Sequence, residues 1–336
     1  MKKPLSELRY DLISKNWVVV AEGRAKKPET FKKKAQGVKS SSYCPFCNLT
    51  KKEKPTLVFN KGEEVSISNF PDKWTTVALS NKYPAFFLGE KLNKRKEGKF
   101  YQKMNAVGYH EVVITKNHNK SLANLSINEI KEVFDIYQKR YLDLIKKPFV
   151  EHIFIFHNHG KEAGASIAHP HSQIITTPLA DIDLERALIN AKKYYKSEGK
   201  CIYCEMNKWD KKVKKRVVFE NEHFIAICPF ASKVAFQVII SPKKHLPYFE
   251  KITEEEKVSL SEAFKDVLGK LYKGLDDPSY NFYLHTAPSD GKKYPFYHWH
   301  WTILPKTSTW AGFELGAQME ILTISPERAA AYLRKQ

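Results

Sequence analysis

Ala168-His169-Pro170-His171-Ser172-Gln173-Ile174-Ile175 places two imidazoles two residues apart at the head of an apolar, strand-like run. Residues i and i+2 of a strand face the same side, so this spacing turns both rings toward one face of a sheet. Such a pair can ligate one metal together. Alternatively, one ring can hold a metal while the other attacks phosphorus as a neutral nucleophile.

The rest of the chain supplies soft ligands twice over. The first set is Cys44 and Cys47 of a CxxC, then His118, then His169; the second is Cys201 and Cys204, then His245, then His298 of a second HxH ending at His300. His118 precedes His169 by 51 residues and His245 precedes His298 by 53, an agreement that argues for an internal repeat. The flanks repeat as well. Val112-Val113-Ile114-Thr115 leads to His118 and Val238-Ile239-Ile240-Ser241 leads to His245, and each histidine is followed eight residues later by a capping-box start, Ser126 with Glu129 and Thr253 with Glu256. Apolar residues then recur at helical spacing from Ile130 to Leu144 and from Leu260 to Leu271, which predicts two core-facing helices.

The 336 residues exceed what one hydrophobic core usually organises, and 42% apolar content with 13% aromatic suffices for two packed units. No run is long and apolar enough for a membrane span, and Met1-Lys2-Lys3-Pro4 lacks the apolar core of a signal peptide, so a cytoplasmic protein is expected. Four of the five cysteines fall in CxxC pairs, which suits metal binding in a reducing compartment; Cys228 reads as a packed apolar residue. The net charge of +19 would favour anionic sugar phosphates and nucleotides. The lysines are spread through predicted loops and helix faces without a nucleic-acid-binding motif, so no nucleic-acid partner is expected.

Two thiolates and two imidazoles make a closed tetrahedral zinc site with no position left for substrate, which is a structural site. Zinc on Cys44, Cys47, His118 and His169 would hold His171 still. The other readings are a redox-active CxxC, or His169 and His171 as joint ligands of one catalytic metal.

The segment Asn158-x-Gly160-x-x-x-Gly164-Ala165-Ser166-x-x-His169-Pro170-His171-Ser172-Gln173 resembles the active-site segment of galactose-1-phosphate uridylyltransferases, members of the histidine-triad superfamily. Tyr10-Asp11 with Trp17 to Val20, Arg24 to Pro28, Ser80 to Ala85, Pro242 to His245, His298-x-His300 and Gly312-Phe313-Glu314 also resemble family segments. The resemblance implies an α+β fold of two tandem histidine-triad-like units, each a mainly antiparallel sheet flanked by helices. Residues 1–195 would form the catalytic unit and 196–336 the unit for acceptor binding and dimer contacts, joined near Tyr195 to Lys200.

It further implies His171 as the nucleophile that takes a nucleotide from a nucleoside diphosphate sugar, with Gln173 and Ser166 at the phosphoryl group. Asn158, Gly164, Arg24, Lys27 and Asn81 would contact phosphates and nucleoside, and Phe313 and Glu314 the sugar, across a homodimer interface. At the second metal set, zinc on Cys201, Cys204, His245 and His298 stands beside an iron site on Glu185, His285, His298 and His300. Thr302 falls where the first half has Gln173, so the second half is expected not to catalyse.

Three functions follow. They are transfer of UMP from UDP-glucose to a hexose 1-phosphate such as galactose 1-phosphate, an ADP- or UDP-sugar phosphorylase with phosphate as acceptor, and a non-catalytic zinc-stabilised nucleotide-binding protein. Ser172 stands where the best-known uridylyltransferases have glycine, and Ser308 where they have a lysine that holds sugar phosphate.

Overall fold

A computed structural model describes residues 6–24, 28–32, 43–50, 52–67 and 70–336. Its strands in chain order are β1 Glu7–Tyr10, β2 Trp17–Val20, β3 Pro55–Asn60, β4 Glu63–Glu64, β5 Thr76–Ser80, β6 Arg95–Glu97, β7 Tyr101–Lys103 and β8 His110–Thr115. They continue with β9 His152–His159, β10 His171–Thr177, β11 Val217–Glu220, β12 Phe224–Ile227, β13 Val238–Pro242, β14 Tyr280–His285, β15 His300–Pro305 and β16 Ile321–Leu322. The helices are α1 Ile127–Leu144, α2 Ile182–Glu198, α3 Ile202–Val213, α4 Glu254–Leu275, α5 Gly312–Ala317 and α6 Pro326–Leu333.

The repeat is a fact of the fold. One sheet runs β11-β12-β13-β15-β14-β9-β10-β8-β5-β3-β4, and its outer halves carry the same order read from the middle, β9-β10-β8-β5-β3 and β14-β15-β13-β12-β11. The expected pair of sheets is thus a single sheet, joined where equivalent strands β9 and β14 lie antiparallel. Phe156 pairs with Tyr283, its own counterpart in the other half, which puts a pseudo-twofold axis between them. Joining the halves edge to edge satisfies backbone groups that each would otherwise expose.

α1 and α4 lie against each other on one face of this sheet. Both begin with the expected capping boxes, Ser126 with Glu129 and Thr253 with Glu256. Phe134, Tyr137 and Phe264 meet Phe282 and Trp301 in one fully buried aromatic cluster. Burying each such ring contributes roughly 1.5–3 kcal/mol, so the two halves share a core. Between them Lys257, itself buried, is paired with Asp135 of α1.

The stretch expected to link two units is the last turn of α2 and its left-handed cap Gly199, with only Lys200 and Cys201 between that cap and α3. A small sheet of β1, β2 and β16 joins the two chain ends, with Val19 N–H donating to Glu320 O and Ala21 N–H to Leu322 O. Among the described residues no helix is long and apolar enough to cross a membrane.

Candidate active site and metal clusters

Cys44, Cys47, His118 and His169 converge, as do Cys201, Cys204, His245 and His298; within each group the ligand atoms lie within 4.8 Å of one another. Zn–S near 2.3 Å and Zn–N near 2.0–2.1 Å at the tetrahedral angle put sulfur and nitrogen about 3.6 Å apart. Cys44 Sγ is 3.6 Å and Cys47 Sγ 3.4 Å from His169 Nδ1, and Cys47 Sγ is 3.2 Å from His118 Nδ1. In the second group Cys204 Sγ is 3.4 Å from both His245 Nδ1 and His298 Nδ1. The donor sets fit a closed tetrahedral ion.

The histidine tautomers fit it too. His169 Nε2 donates to Thr115 O at 2.7 Å, and His298 Nε2 donates to Pro242 O at 2.8 Å, so each ring's proton sits on Nε2 and Nδ1 is free to ligate. Thr115 and Pro242 end equivalent strands, β8 and β13, so the repeat reproduces the supporting bond as well as the ligands. The iron set is not assembled. His298 belongs to the cysteine group, the His285 ring stacks on His300 with centroids 4.7 Å apart, and Glu185 is exposed on α2.

Strand β10 begins at His171, so His169 lies just ahead of the strand instead of in it. Pro170 between them has no N–H to give a ladder. His171 Nδ1 donates to His169 O at 2.9 Å, which leaves Nε2 unprotonated. The ring is buried against Phe46 of the Cys44 loop, 5.0 Å between centroids, and burial lowers its pKa while the bond to His169 opposes that. A neutral imidazole with a free Nε2 is the protonation state a nucleophile needs at neutral pH.

Gln173, two residues on, shares the face of His171. His110, at the start of β8, was not anticipated and orients it. Ala85 N–H donates to His110 Nδ1 at 3.1 Å, so the proton is on Nε2, which donates to Gln173 Oε1 at 2.8 Å. With its oxygen so engaged, Gln173 has its amide N–H groups left to offer an anion. Asn81 Nδ2 lies 3.0 Å from the same His110 nitrogen, which brings Asn81 into the group. The only sequence signal for His110 is its place two residues ahead of the β run of Val112.

Asn158 is the penultimate residue of β9, which leads into the loop of Gly160, Gly164 and Ser166. Asn281 of the second half donates through Nδ2 to Asn158 Oδ1 and Ala163 O, both at 2.8 Å, and so supports the loop from the neighbouring strand. Gly160 has φ +79°, and a Cβ there would sit 2.1 Å from Ser279 Oγ, so both conformation and space demand glycine. Gly164 has φ +86°.

Arg24 and the pair Phe313 and Glu314 belong to a separate module built on β1, β2 and β16. Arg24 and Phe313 are exposed, and Glu314 accepts from Ala311 N–H at the start of α5. Among the described residues no hydrogen bond, ion pair or ring contact ties this module to His171, Gln173 or Asn158. Lys27 lies outside the described residues.

The second half keeps the geometry of His171 beside a different neighbour. His300 Nδ1 donates to His298 O at 3.1 Å, and burial pushes the ring's pKa down to about 4. Thr302 occupies the position of Gln173. A cavity of about 1140 Å³ opens across both halves, lined among others by Phe154 and Ile175 of the first and Tyr283, His285, His300 and Thr302 of the second; His171 and Gln173 are not in its lining.

The galactose-1-phosphate uridyl transferase N-terminal domain profile matches residues 1–180 and the corresponding C-terminal domain profile matches residues 188–334. ADP-glucose phosphorylase of Arabidopsis thaliana is 31% identical, covering 98% of this chain and 92% of that protein. Galactose-1-phosphate uridylyltransferase of Thermotoga maritima is 29% identical, covering 98% of both. The crystal structure of the Arabidopsis ADP-glucose phosphorylase with bound ADP-glucose superposes with a TM-score of 0.82 at 29% identity over 99% of each chain. The duplicated cysteine–histidine clusters, the HPHSQ strand and its supporting loop are thus set in a chain that belongs to the galactose-1-phosphate uridyl transferase family.

Proposed function

We propose that the protein is a nucleotidyltransferase that moves the nucleotide of a nucleoside diphosphate sugar through a covalent bond to His171. The observation that carries this reading is the bond from His171 Nδ1 to His169 O, which frees Nε2 for attack. The Nε2 lone pair forms a P–N bond to the α-phosphorus; the bond to the bridging oxygen breaks, and sugar 1-phosphate leaves with the electron pair. The positive charge that develops on the imidazole is met by the His169 carbonyl. Gln173, its oxygen occupied by His110, donates to a phosphoryl oxygen as charge builds there. Ser166, Gly164 and Asn158 line the phosphates, and Asn81 faces the nucleoside. An oxygen of the acceptor phosphate then attacks phosphorus and releases neutral His171.

Zinc is the ion that suits both cysteine–histidine groups, and when bound it supplies a rigid clip with no open position. None of the five cysteines is in a disulfide, consistent with a reducing cytoplasm. Residues 1–195 carry the transfer chemistry and 196–336 support acceptor binding and dimer contacts. Arg24 and Lys27 serve the diphosphate, and Phe313 and Glu314 meet the sugar across a homodimer, which the exposure of Phe313 supports.

The first reading is uridylyl transfer from UDP-glucose to galactose 1-phosphate, supported by the family. A second reading, an ADP-sugar phosphorylase with phosphate as acceptor, is favoured by Ser172, by Ser308 and by the 31% identity to the Arabidopsis phosphorylase. Incubation with UDP-glucose or ADP-glucose and intact-mass measurement separates the two donors by the mass added; chase with galactose 1-phosphate or phosphate identifies the acceptor. No adduct with any nucleotide sugar would leave the non-catalytic reading.

A further inference from the structure

Ser172 lies between the two residues that face the phosphoryl group, yet its side chain points to the other side of the sheet, toward α1. There its hydroxyl meets the Tyr137 hydroxyl and, at 3.0 Å, His157 Nδ1. All three side chains are buried. Burial raises the Tyr137 pKa and keeps the phenol protonated, so Tyr137 donates to Ser172, whose hydroxyl also shares a hydrogen bond with His157 Nδ1. His157 Nε2 is buried without a hydrogen-bond partner. The ring stacks flat on Phe282 of the second half, with centroids 4.9 Å apart and planes 6° apart.

The repeat supplies an internal comparison. Tyr137 corresponds to Phe264, each eleven residues beyond the helix N-cap; Ser172 corresponds to Trp301, each following the HxH motif; and His157, which pairs with Ser172, corresponds to Leu284, which pairs with Trp301. Phe264, Trp301 and Leu284 are all fully buried. The same three positions are therefore apolar in the half that lacks the glutamine and polar in the half that has it. Packing alone does not call for the polar set, because the fold accepts Phe264, Trp301 and Leu284 at the same places, where Trp301 Nε1 is likewise buried without a partner.

We propose that Tyr137, Ser172 and His157 are positioning residues that fix the depth and register of β10, and with it the placement of His171 and Gln173 against the α-phosphorus. This inference rests on the transfer reading above. Ser172 is tied from beneath to α1 and β9 at once, so loosening it displaces both neighbours, and reacting groups lose rate steeply with small misplacement. It also gives the serine of the HPHSQ run a role without substrate contact.

The test is the rate of nucleotidyl-adduct formation on the full-length protein, followed by rapid quench and intact mass, with whichever of UDP-glucose and ADP-glucose labels the parent. Tyr137→Phe and Ser172→Ala should each lower the rate at saturating donor by about tenfold, with half-saturation and metal content unchanged. The double variant should be no slower than either single one, since the three act as a unit. Phe264→Leu, in the apolar counterpart, should lower thermal stability and leave the rate alone. Rates within twofold of the parent for Tyr137→Phe and Ser172→Ala, or effects that multiply in the double variant, would overturn the inference while the transfer reading stands. A parent that forms no adduct would overturn both.

Discussion

His169 and His171 share one hydrogen bond and divide the work of the HxH between them: the His169 carbonyl takes the Nδ1 proton of His171 at 2.9 Å, while the His169 ring turns its own Nδ1 to Cys44 and Cys47. The ring that faces the cysteines is thus fixed by them, and its backbone fixes the tautomer of the ring that does not. The two predictions that follow from this division are opposite in their metal readout.

His171→Ala should abolish the nucleotidyl adduct, a loss on the order of 10³-fold or more in turnover, with metal content unchanged. His169→Ala should lower both. Intact mass and elemental analysis on the same samples check the pair; retained labelling in His171→Ala would refute the nucleophile assignment.

Gln173→Ala removes the donor to the phosphoryl oxygens and should cost about 10²-fold in turnover with little change in half-saturation. His110→Ala leaves Gln173 in place but unoriented, and should cost roughly tenfold. Steady-state kinetics distinguish the two, and a His110 effect confined to KM would argue against the orienting bond.

Two zinc ions per chain are expected in protein purified without chelator. Cys204→Ser should bring the count to one and lower the melting temperature without removing the adduct, because the second cluster holds the half that lacks the glutamine. Cys47→Ser should lower both metal and labelling.

Gly160→Ala combines a positive φ with a Cβ 2.1 Å from Ser279 Oγ, whereas Gly164→Ala meets the positive φ with nothing within 4 Å. Denaturant unfolding should show a loss of about 1–3 kcal/mol for the first and nearer 1 kcal/mol for the second. Equal losses would mean that Ser279 gives way freely.

Glu254, at the start of α4, bridges Lys131 of α1 and Lys257, whose hydrogen bonds hold its pKa down to about 2 against an ordinary 4.5. Because the folded value is depressed, the stabilisation is complete above pH 4.5 and is lost as pH falls from there toward 2. The carboxylate is largely exposed, so solvent screening keeps the contribution below about 1 kcal/mol. Glu254→Gln should therefore be less stable than the parent at pH 7 and equal to it near pH 2, with the difference shrinking in high salt.

Sequence patterns made several local features legible. Spacing exposed the repeat, both cysteine–histidine groups and both capping boxes: each box lies within three residues, and the ligand sets, though 125 residues from Cys44 to His169, are marked by their residue types and by occurring twice. His110 and the Tyr137–His157 pair were not legible, because no motif or repeat marks them and they meet their partners, 63, 35 and 15 residues away, only through strand pairing and helix packing. Arg24 lies in the turn that follows β2 and Phe313 in α5 ahead of β16, placements that no local pattern of the sequence announced.

What the residues alone determined was the duplicated unit and its ligands, because periodicity and donor chemistry are local properties. Tertiary structure decided that the two units share one sheet through β9 and β14, and that the second lends Asn281 to the first one's loop. It also decided which face of β10 each side chain serves. Those outcomes depend on which backbone edges and apolar faces find each other, and no stretch of the chain encodes its distant partner.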